Sequence, residues 1–324
     1  MTRILITGVA GMIGSHLLDS LLLKGCCVVG IDDLSYGSME NIEHNLSNPK
    51  FKFSRIDVQE ESAIQTLTKE TDIVVHLAAV KKISMADSSF PTLQVNVRGT
   101  ENVLKAAKIS NTKFVFASTS DVYGCSLDLP FREDADMLIG PSMIKRWSYA
   151  VSKLYCEQLV FAYHQEYGLP AVVLRYFGGF SDRSSLSWSG GHIPIFIDAV
   201  LNNEDITIHG DGTQTRSMAY VSDLVDGTVL AMFSDTAIGE IINLGNTEEL
   251  SVLDTAYLIH DLAGVSGDPK IKHIPFEKIF GNYHDIMRRV PDLSKAEKLL
   301  GYSPKVSIRD AIVRTISARR RSRK

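Results

Sequence analysis

Cysteine is scarce in this chain of 324 residues: there are four, Cys26, Cys27, Cys125 and Cys156. Their spacing matches no zinc motif, and the adjacent pair would form a strained bridge. Reduced thiols and no metal are the expectation. Charge of one sign is also missing. The formal net charge is −4, which speaks against a nucleic-acid-binding protein. Basic residues concentrate only in the tail Arg319, Arg320, Arg321, Arg323 and Lys324. That run suits the C-terminal end of a last helix better than an arm for an anionic partner. Long apolar runs are absent too. The stretch 17–29 is broken by Asp19, Ser20 and Lys24, too soon for a membrane span. No leading segment has basic, apolar and cleavage regions in order, so the expected location is cytoplasmic. No internal repeat is present.

What the chain does have is alternation. Hydrophobic residues make up 44% of it, enough for a large core. Short apolar runs at 3–7, 27–31, 51–56, 73–77, 114–117 and 171–174 read as strands. Helical spacing fills most of the intervals, notably 12–24, 93–108 and 149–167. Strands alternating with helices imply an α/β fold with a parallel sheet, doubly wound and covered on both faces. After Arg175 the texture changes. The segment 178–191 is a Ser- and Gly-rich loop, Gly210-Asp211-Gly212 is a turn, and shorter elements follow. The expected division is a Rossmann-type unit over 1–175, completed by about 217–245. A smaller α/β substrate unit takes 176–216 and 246–324.

Gly8, Gly11 and Gly14, with Met12 and Ile13 between the last two, join the first strand to the first helix. Glycine there allows a tight turn and close approach of backbone to phosphate, and the helix N-terminus favours a pyrophosphate. Asp32 ends the second strand. A carboxylate at that place accepts an adenosine 2′-hydroxyl and repels a 2′-phosphate, so NAD is expected over NADP. Asp57, followed by Val58, ends the third strand and either touches the adenine or caps the next helix.

Tyr149 and Lys153 lie at i and i+4 and share one helix face. A neighbouring ammonium and a positive nicotinamide favour phenolate, so Tyr149 is a candidate base for a sugar hydroxyl. The stretch Ser118-Thr119-Ser120-Asp121 follows an apolar strand, where ligands of open α/β sheets bind. Thr119 is placed to relay a hydrogen bond between substrate and Tyr149.

These motifs resemble the extended short-chain dehydrogenase/reductases of the NAD-dependent epimerase/dehydratase family, which act on nucleotide sugars. The similarity runs from Thr2 to about Ile316. It includes TGVAGMIG at 7–14, HLAA at 76–79, STSDVYG at 118–124, YAVSK at 149–153, LRYF at 174–177 and GDGTQTR at 210–216. The resemblance implies a catalytic set of Thr119, Tyr149 and Lys153. It implies cofactor contacts from Leu77, Ala78, Ala79, Asn96 and Lys81, with Lys82 as the alternative lysine. Substrate contacts are implied for Ser118, Ser120, Lys81 and Arg216, and for Arg288 or Arg289. It also implies a homodimer.

The chain departs from that family at several places. Gly178 stands where many relatives have asparagine. Ser217 and Met218 follow Arg216, where an acid and an aromatic are usual. The loop 181–192, with Arg183, Trp188, Gly190 and Gly191, is long. Arg183 meets either a second substrate anion or a loop carboxylate. His192 reads as a packed loop residue. Asp121 has the charge, on a shorter arm, of the acid that dehydratases and uronate decarboxylases carry two positions after the threonine. It either serves that chemistry or caps a turn. The leading expectation is a UDP-sugar 4-epimerase using NAD. The alternatives are 4,6-dehydration, uronate decarboxylation, or an NAD-binding protein without catalysis.

Overall fold

The computed structural model describes residues 1–82, 88–186, 191–280 and 286–323. The first half alternates strand and helix. Strands are β1 (Arg3–Thr7), β2 (Cys27–Asp32), β3 (Phe51–Arg55), β4 (Ile73–His76), β5 (Lys113–Thr119) and β6 (Ala171–Tyr176). Between them run α1 (Met12–Leu23), α2 (Glu61–Thr68), α3 (Ser89–Ser110) and α4 (Trp147–Tyr167). The strands bury nearly every side chain because helices cover both sheet faces. Local signals end the helices: Asn111 and Gly168 both take left-handed backbone after α3 and α4.

The second half is more broken. Short strands β7 (Gly179–Phe180), β8 (Ile206–His209), β9 (Thr215–Ser217) and β10 (Ala219–Tyr220) precede β11 (Ile241–Leu244), β12 (Glu249–Ser251) and β13 (Ile271–Ile274). The helices are α5 (His192–Leu201), α6 (Val221–Phe233), α7 (Val252–Leu262), α8 (Phe276–Phe280), α9 (Ser294–Leu300) and α10 (Ile308–Ser322). Ser251 and Ser307 start α7 and α10 by accepting the amides of Asp254 and Asp310.

Seven strands form one parallel sheet in the order β11-β6-β5-β4-β1-β2-β3. This is the doubly wound Rossmann arrangement with one extra strand at the β6 edge. The order reverses between β1 and β4, and the crevice beyond their carboxyl ends is where such sheets bind ligands. Buried His76 braces this point. Its ring joins the hydroxyls of Thr7 at 2.7 Å and Thr100 at 3.1 Å. Burial pushes its pKa down to about 3, so it is neutral.

A second apolar core gathers α5, α7 and α10 with β8. From the same C-terminal stretch, Ala296 and Tyr302 pack into the sheet core rather than this second one. The apolar face of α9 covers β11 and α6, the extra edge that would otherwise be bare. The four cysteines are free thiols. Among the described residues no helix is long and apolar enough to cross a membrane, and no group of side chains is arranged to hold a metal ion.

Candidate functional site

One cavity of about 730 Å³ runs from the glycine turn past the end of β5 into the second unit. Its first wall is Gly8, Gly11, Met12, Ile13 and Gly14. Gly8 has φ +75°, and a Cβ there would sit 2.8 Å from the Ala78 amide nitrogen. A Cβ on Gly14 would run into the Gly8 carbonyl oxygen and come 2.9 Å from Val9 Cα. Only bare backbone fits. Gly11 begins α1 without a side-chain cap, and the first turn carries no acid. The helix N-terminus is thus open to an anion, and the cradle fits a dinucleotide pyrophosphate.

Asp32 is buried behind this wall. Its oxygens accept the amides of Ala10 at 3.0 Å and Leu34 at 2.9 Å. The carboxylate therefore shapes the turn as well as lying against Gly37, which lines the cavity. Leu77, Ala79 and Lys81 also line it.

Several expected cofactor contacts stand away from the cavity. Asp57 accepts the Gln59 amide at 2.8 Å, so its carboxylate caps a turn. Val58 is buried where α3 passes at Gly99. Ala78 packs over Gly8 and donates its amide to Thr7. Asn96 holds the loop after β4 by pairing with both the amide and the carbonyl of Val80. These residues build the cradle from behind.

The reacting end is at β5. The Thr119 hydroxyl lies close enough to the Tyr149 phenol to favour its ionised form; it donates to Asp121 Oδ2 at 3.4 Å and accepts the Asp121 amide at 3.2 Å. Relay and cap are the same atom. Lys153 Nζ donates to the Ala117 carbonyl at 2.7 Å, and burial pushes its pKa down to about 8. The phenol of Tyr149 is pushed up, by burial and then by the Asp121 charge. This corrects the expectation of an ammonium-lowered phenol: Lys153 is turned to Ala117, so desolvation wins. Ser118 lines the cavity and donates to buried Glu157. Glu157 is in turn paired with buried Arg175 at 2.7 Å. Ser120 is buried and lines the cavity.

Asp121 is the centre of the polar cluster. Its side chain is 3% exposed, and three cations surround it. Lys81 Nζ donates to Oδ2 at 2.9 Å. Arg289 Nη1 lies 2.9 Å and Arg146 Nη2 3.6 Å from Oδ1. Burial alone would raise the carboxyl pKa, yet the cations hold it well below the ordinary carboxylate range. Asp121 is a fixed anion in a locally cationic pocket.

The choice between the paired arginines is resolved. Arg289 enters the cavity, whereas Arg288 is exposed and paired with Glu249 at 2.8 Å. Likewise Lys81 faces Asp121, while Lys82 lies 5.9 Å from the ring centre of Tyr36. Arg216 lines the cavity and donates to the carbonyls of Thr215 and Ile286, each at 2.7 Å. Arg183 also reaches the cavity wall, and its partner is Asp19 at 2.8 Å, the loop salt bridge of the two expected roles. Gly178 lines the cavity because Met218 Sδ fills the place a Cβ would need. His192 lies at the start of α5, stacked edge-on to Phe196, and also lines the cavity. Trp188 and Gly190 lie outside the described residues, as does Lys324.

Sequence reasoning missed Arg146, which stacks on Trp147 at 4.8 Å. A signal existed: it stands three positions before Tyr149 at the start of α4, hence on the same face. Gln214 and Met218 were missed as wall residues, and nothing local marks them.

The crevice, glycine cradle and Thr–Tyr–Lys group are those of an extended short-chain dehydrogenase/reductase. The chain belongs to the family described as GDP-mannose 4,6 dehydratase, whose model matches residues 5–315. It is 38% identical to the UDP-N-acetyl-alpha-D-glucosaminuronate decarboxylase of Bacillus cytotoxicus, over 97% of this chain and 96% of that one. It is 34% identical to UDP-glucuronic acid decarboxylase 1 of Arabidopsis thaliana, over 97% of this chain and 69% of that one. Among solved structures, UDP-glucuronic acid 4-epimerase from Bacillus cereus, in complex with UDP-glucuronic acid and NAD, superposes with TM-score 0.89. It is 31% identical, covering 99% and 100% of the two chains.

Proposed function

We propose that this enzyme removes the carboxylate of a UDP-uronate as carbon dioxide, with NAD as cofactor. The carrying observation is the cluster of Lys81, Arg146 and Arg289 around the single carboxylate of Asp121. Lys81 and Arg289 alone set two cations against one acid, which leaves positive charge for a second, and a uronate brings one. Guanidinium forks suit a carboxylate especially well. The same charge balance argues against dehydration. That reaction needs a base at C5, and Asp121 is held too acidic to take a proton. Epimerisation of an uncharged UDP-sugar, the form first in the sequence-based ranking, needs neither cation nor acid at this place.

Bound NAD supplies reversible oxidation at the sugar C4. A 4-keto uronate is a β-keto acid, which loses carbon dioxide without a base. The positive charge of the bound nicotinamide would favour the Tyr149 phenolate against the effect of burial; Tyr149 then takes the 4-hydroxyl proton, and Thr119 and Tyr149 steady the charge that grows on the 4-oxygen. Lys153 holds the end of β5 through Ala117 and adds positive charge beneath it. Arg289 and Arg146 orient the carboxylate. Arg216 is placed for the nucleotide diphosphate, and Gly8, Gly11, Met12, Ile13 and Gly14 for the cofactor pyrophosphate. A homodimer is supported by α3 and α4, which pack side by side and expose Phe90, Leu93, Val151 and Tyr155.

The test is incubation of the NAD-loaded enzyme with UDP-glucuronate, UDP-N-acetylglucosaminuronate and UDP-glucose, read by mass spectrometry. Loss of carbon dioxide from a uronate is the expected result. A uronate product of unchanged mass and altered mobility would instead identify a 4-epimerase, the activity named for the Bacillus cereus neighbour.

A further inference from the structure

Loss of carbon dioxide leaves C5 of the sugar as an enolate carbon. It must gain a proton before the 4-ketone is reduced. We propose that Lys81 is the general acid that delivers this proton, an inference that rests on the decarboxylase reading above.

The argument is one of position. C5 is one bond from the carboxylate carbon, so its proton donor must stand beside the cations that hold that carboxylate. The donor must also reach within about 3 Å. Among the described residues, the side chains that meet Asp121 are Thr119, Lys81, Arg146 and Arg289. Two are guanidiniums, which keep their protons at any working pH. The Thr119 hydroxyl donates to Asp121 itself at 3.4 Å. Asp121 itself is an anion without a proton to give. Lys153 is committed to the Ala117 carbonyl. The remaining cavity histidines, His192 and His209, stand on α5 and β8 in the second unit, whereas Asp121 follows β5.

Lys81 meets the requirements. Its Nζ is 2.9 Å from Asp121 Oδ2 and 5.1 Å from the Tyr149 ring centre. It therefore spans the carboxylate site and the base of the neighbouring C4. Its side chain is 31% exposed, so water can restore the proton it gives up. Asp121 then acts as a positioning residue that holds the ammonium in place.

The step balances. The C5–C6 bond breaks and its electrons pass into the C4–C5 double bond and the 4-oxygen, releasing carbon dioxide. An Nζ–H bond then breaks as C5–H forms and the ketone returns. Lys81 recovers a proton from solvent, so each turnover consumes one.

The experiment compares wild type with Lys81→Arg in deuterium oxide, using the NAD-loaded enzyme and the uronate substrate. Three things are read: carbon dioxide release, deuterium at C5 of the pentose, and free 4-keto pentose. Wild type should place one deuteron on a single face of C5. Lys81→Arg keeps the charge but lacks a transferable proton. It should release carbon dioxide within about tenfold of wild type while pentose formation falls about 10²–10³-fold. The 4-keto pentose should escape, with deuterium on both faces of C5. Wild-type pentose yield and unchanged stereochemistry in Lys81→Arg would overturn the assignment. No carbon dioxide from wild type would overturn the decarboxylase reading, and the Lys81 step with it.

Discussion

Arg289 Nη1 lies 2.9 Å from Asp121 Oδ1. Asp121 follows the central strand β5, and Arg289 comes from the segment that precedes α9. The segment carrying Arg289 also bonds to β9: Ser217 donates its amide to the Arg289 carbonyl. The anion site therefore exists only when the two parts of the chain are joined across the cavity. The proposed decarboxylation rests on the charge balance of this site.

Replacing Asp121 with Asn removes the counter-charge of Lys81, Arg146 and Arg289. A free uronate should bind at least as well, because Lys81 and Arg289 then lose their counter-charge and attract it. Turnover should fall about 100-fold, since Lys81 and the guanidiniums lose their fixed geometry. Steady-state kinetics on the uronate check this: kcat drops while KM holds or falls. An unchanged kcat would remove Asp121 from the machinery.

Lys153 sets an alkaline limit. Burial favours its neutral form and brings its pKa to about 8. If the ammonium is the working form, kcat/KM declines as pH rises through about 8, which a pH–rate profile of the free enzyme reads. For stability the sign is opposite. Between about 8 and the ordinary lysine value of ~10.4 the folded chain binds fewer protons than the unfolded chain. This residue's contribution therefore weakens as pH falls through that window.

Gly178 and Met218 are a matched pair. A side chain at Gly178 would collide with Met218 Sδ, and the overpacking should cost about 1–3 kcal/mol. Gly178→Asn should lower the denaturation midpoint, and Met218→Ala in the same chain should restore most of it. A Gly178→Asn variant as stable as wild type would show that Met218 swings away freely.

Gly14→Ala tests the cofactor cradle. The added methyl group meets the Gly8 carbonyl and Val9, so the turn must open. NAD affinity, measured by calorimetry, should fall about 100-fold or more, equivalent to ~2.7 kcal/mol. Unimpaired NAD binding would place the pyrophosphate elsewhere.

The sheet was legible because local pattern carries it. The short apolar runs became β1 to β6, each boundary shifting by only a few residues. The glycine turn and the Tyr149–Lys153 face were legible for the same reason: a helix repeats every 3.6 residues wherever it sits. Three features were not. Asn96 and Asp57 carry polar side chains suited to a ligand, and loops of the protein itself consumed them. Arg288 and Arg289 are neighbours in the chain, and one turned outward. Tyr149 stands a helical turn from Lys153, but that ammonium found a carbonyl instead.

The amino-acid sequence by itself determined the alternation of strand and helix, the bare glycine cradle and the order of the catalytic motif. These depend on backbone preference and on neighbours a few residues away. The tertiary structure alone decided which cations meet Asp121, and with them the chemistry the pocket favours. An ion pair is set by the distance between charges in space. Packing brings Lys81, Arg146 and Arg289 to one carboxylate from three separate stretches of the chain.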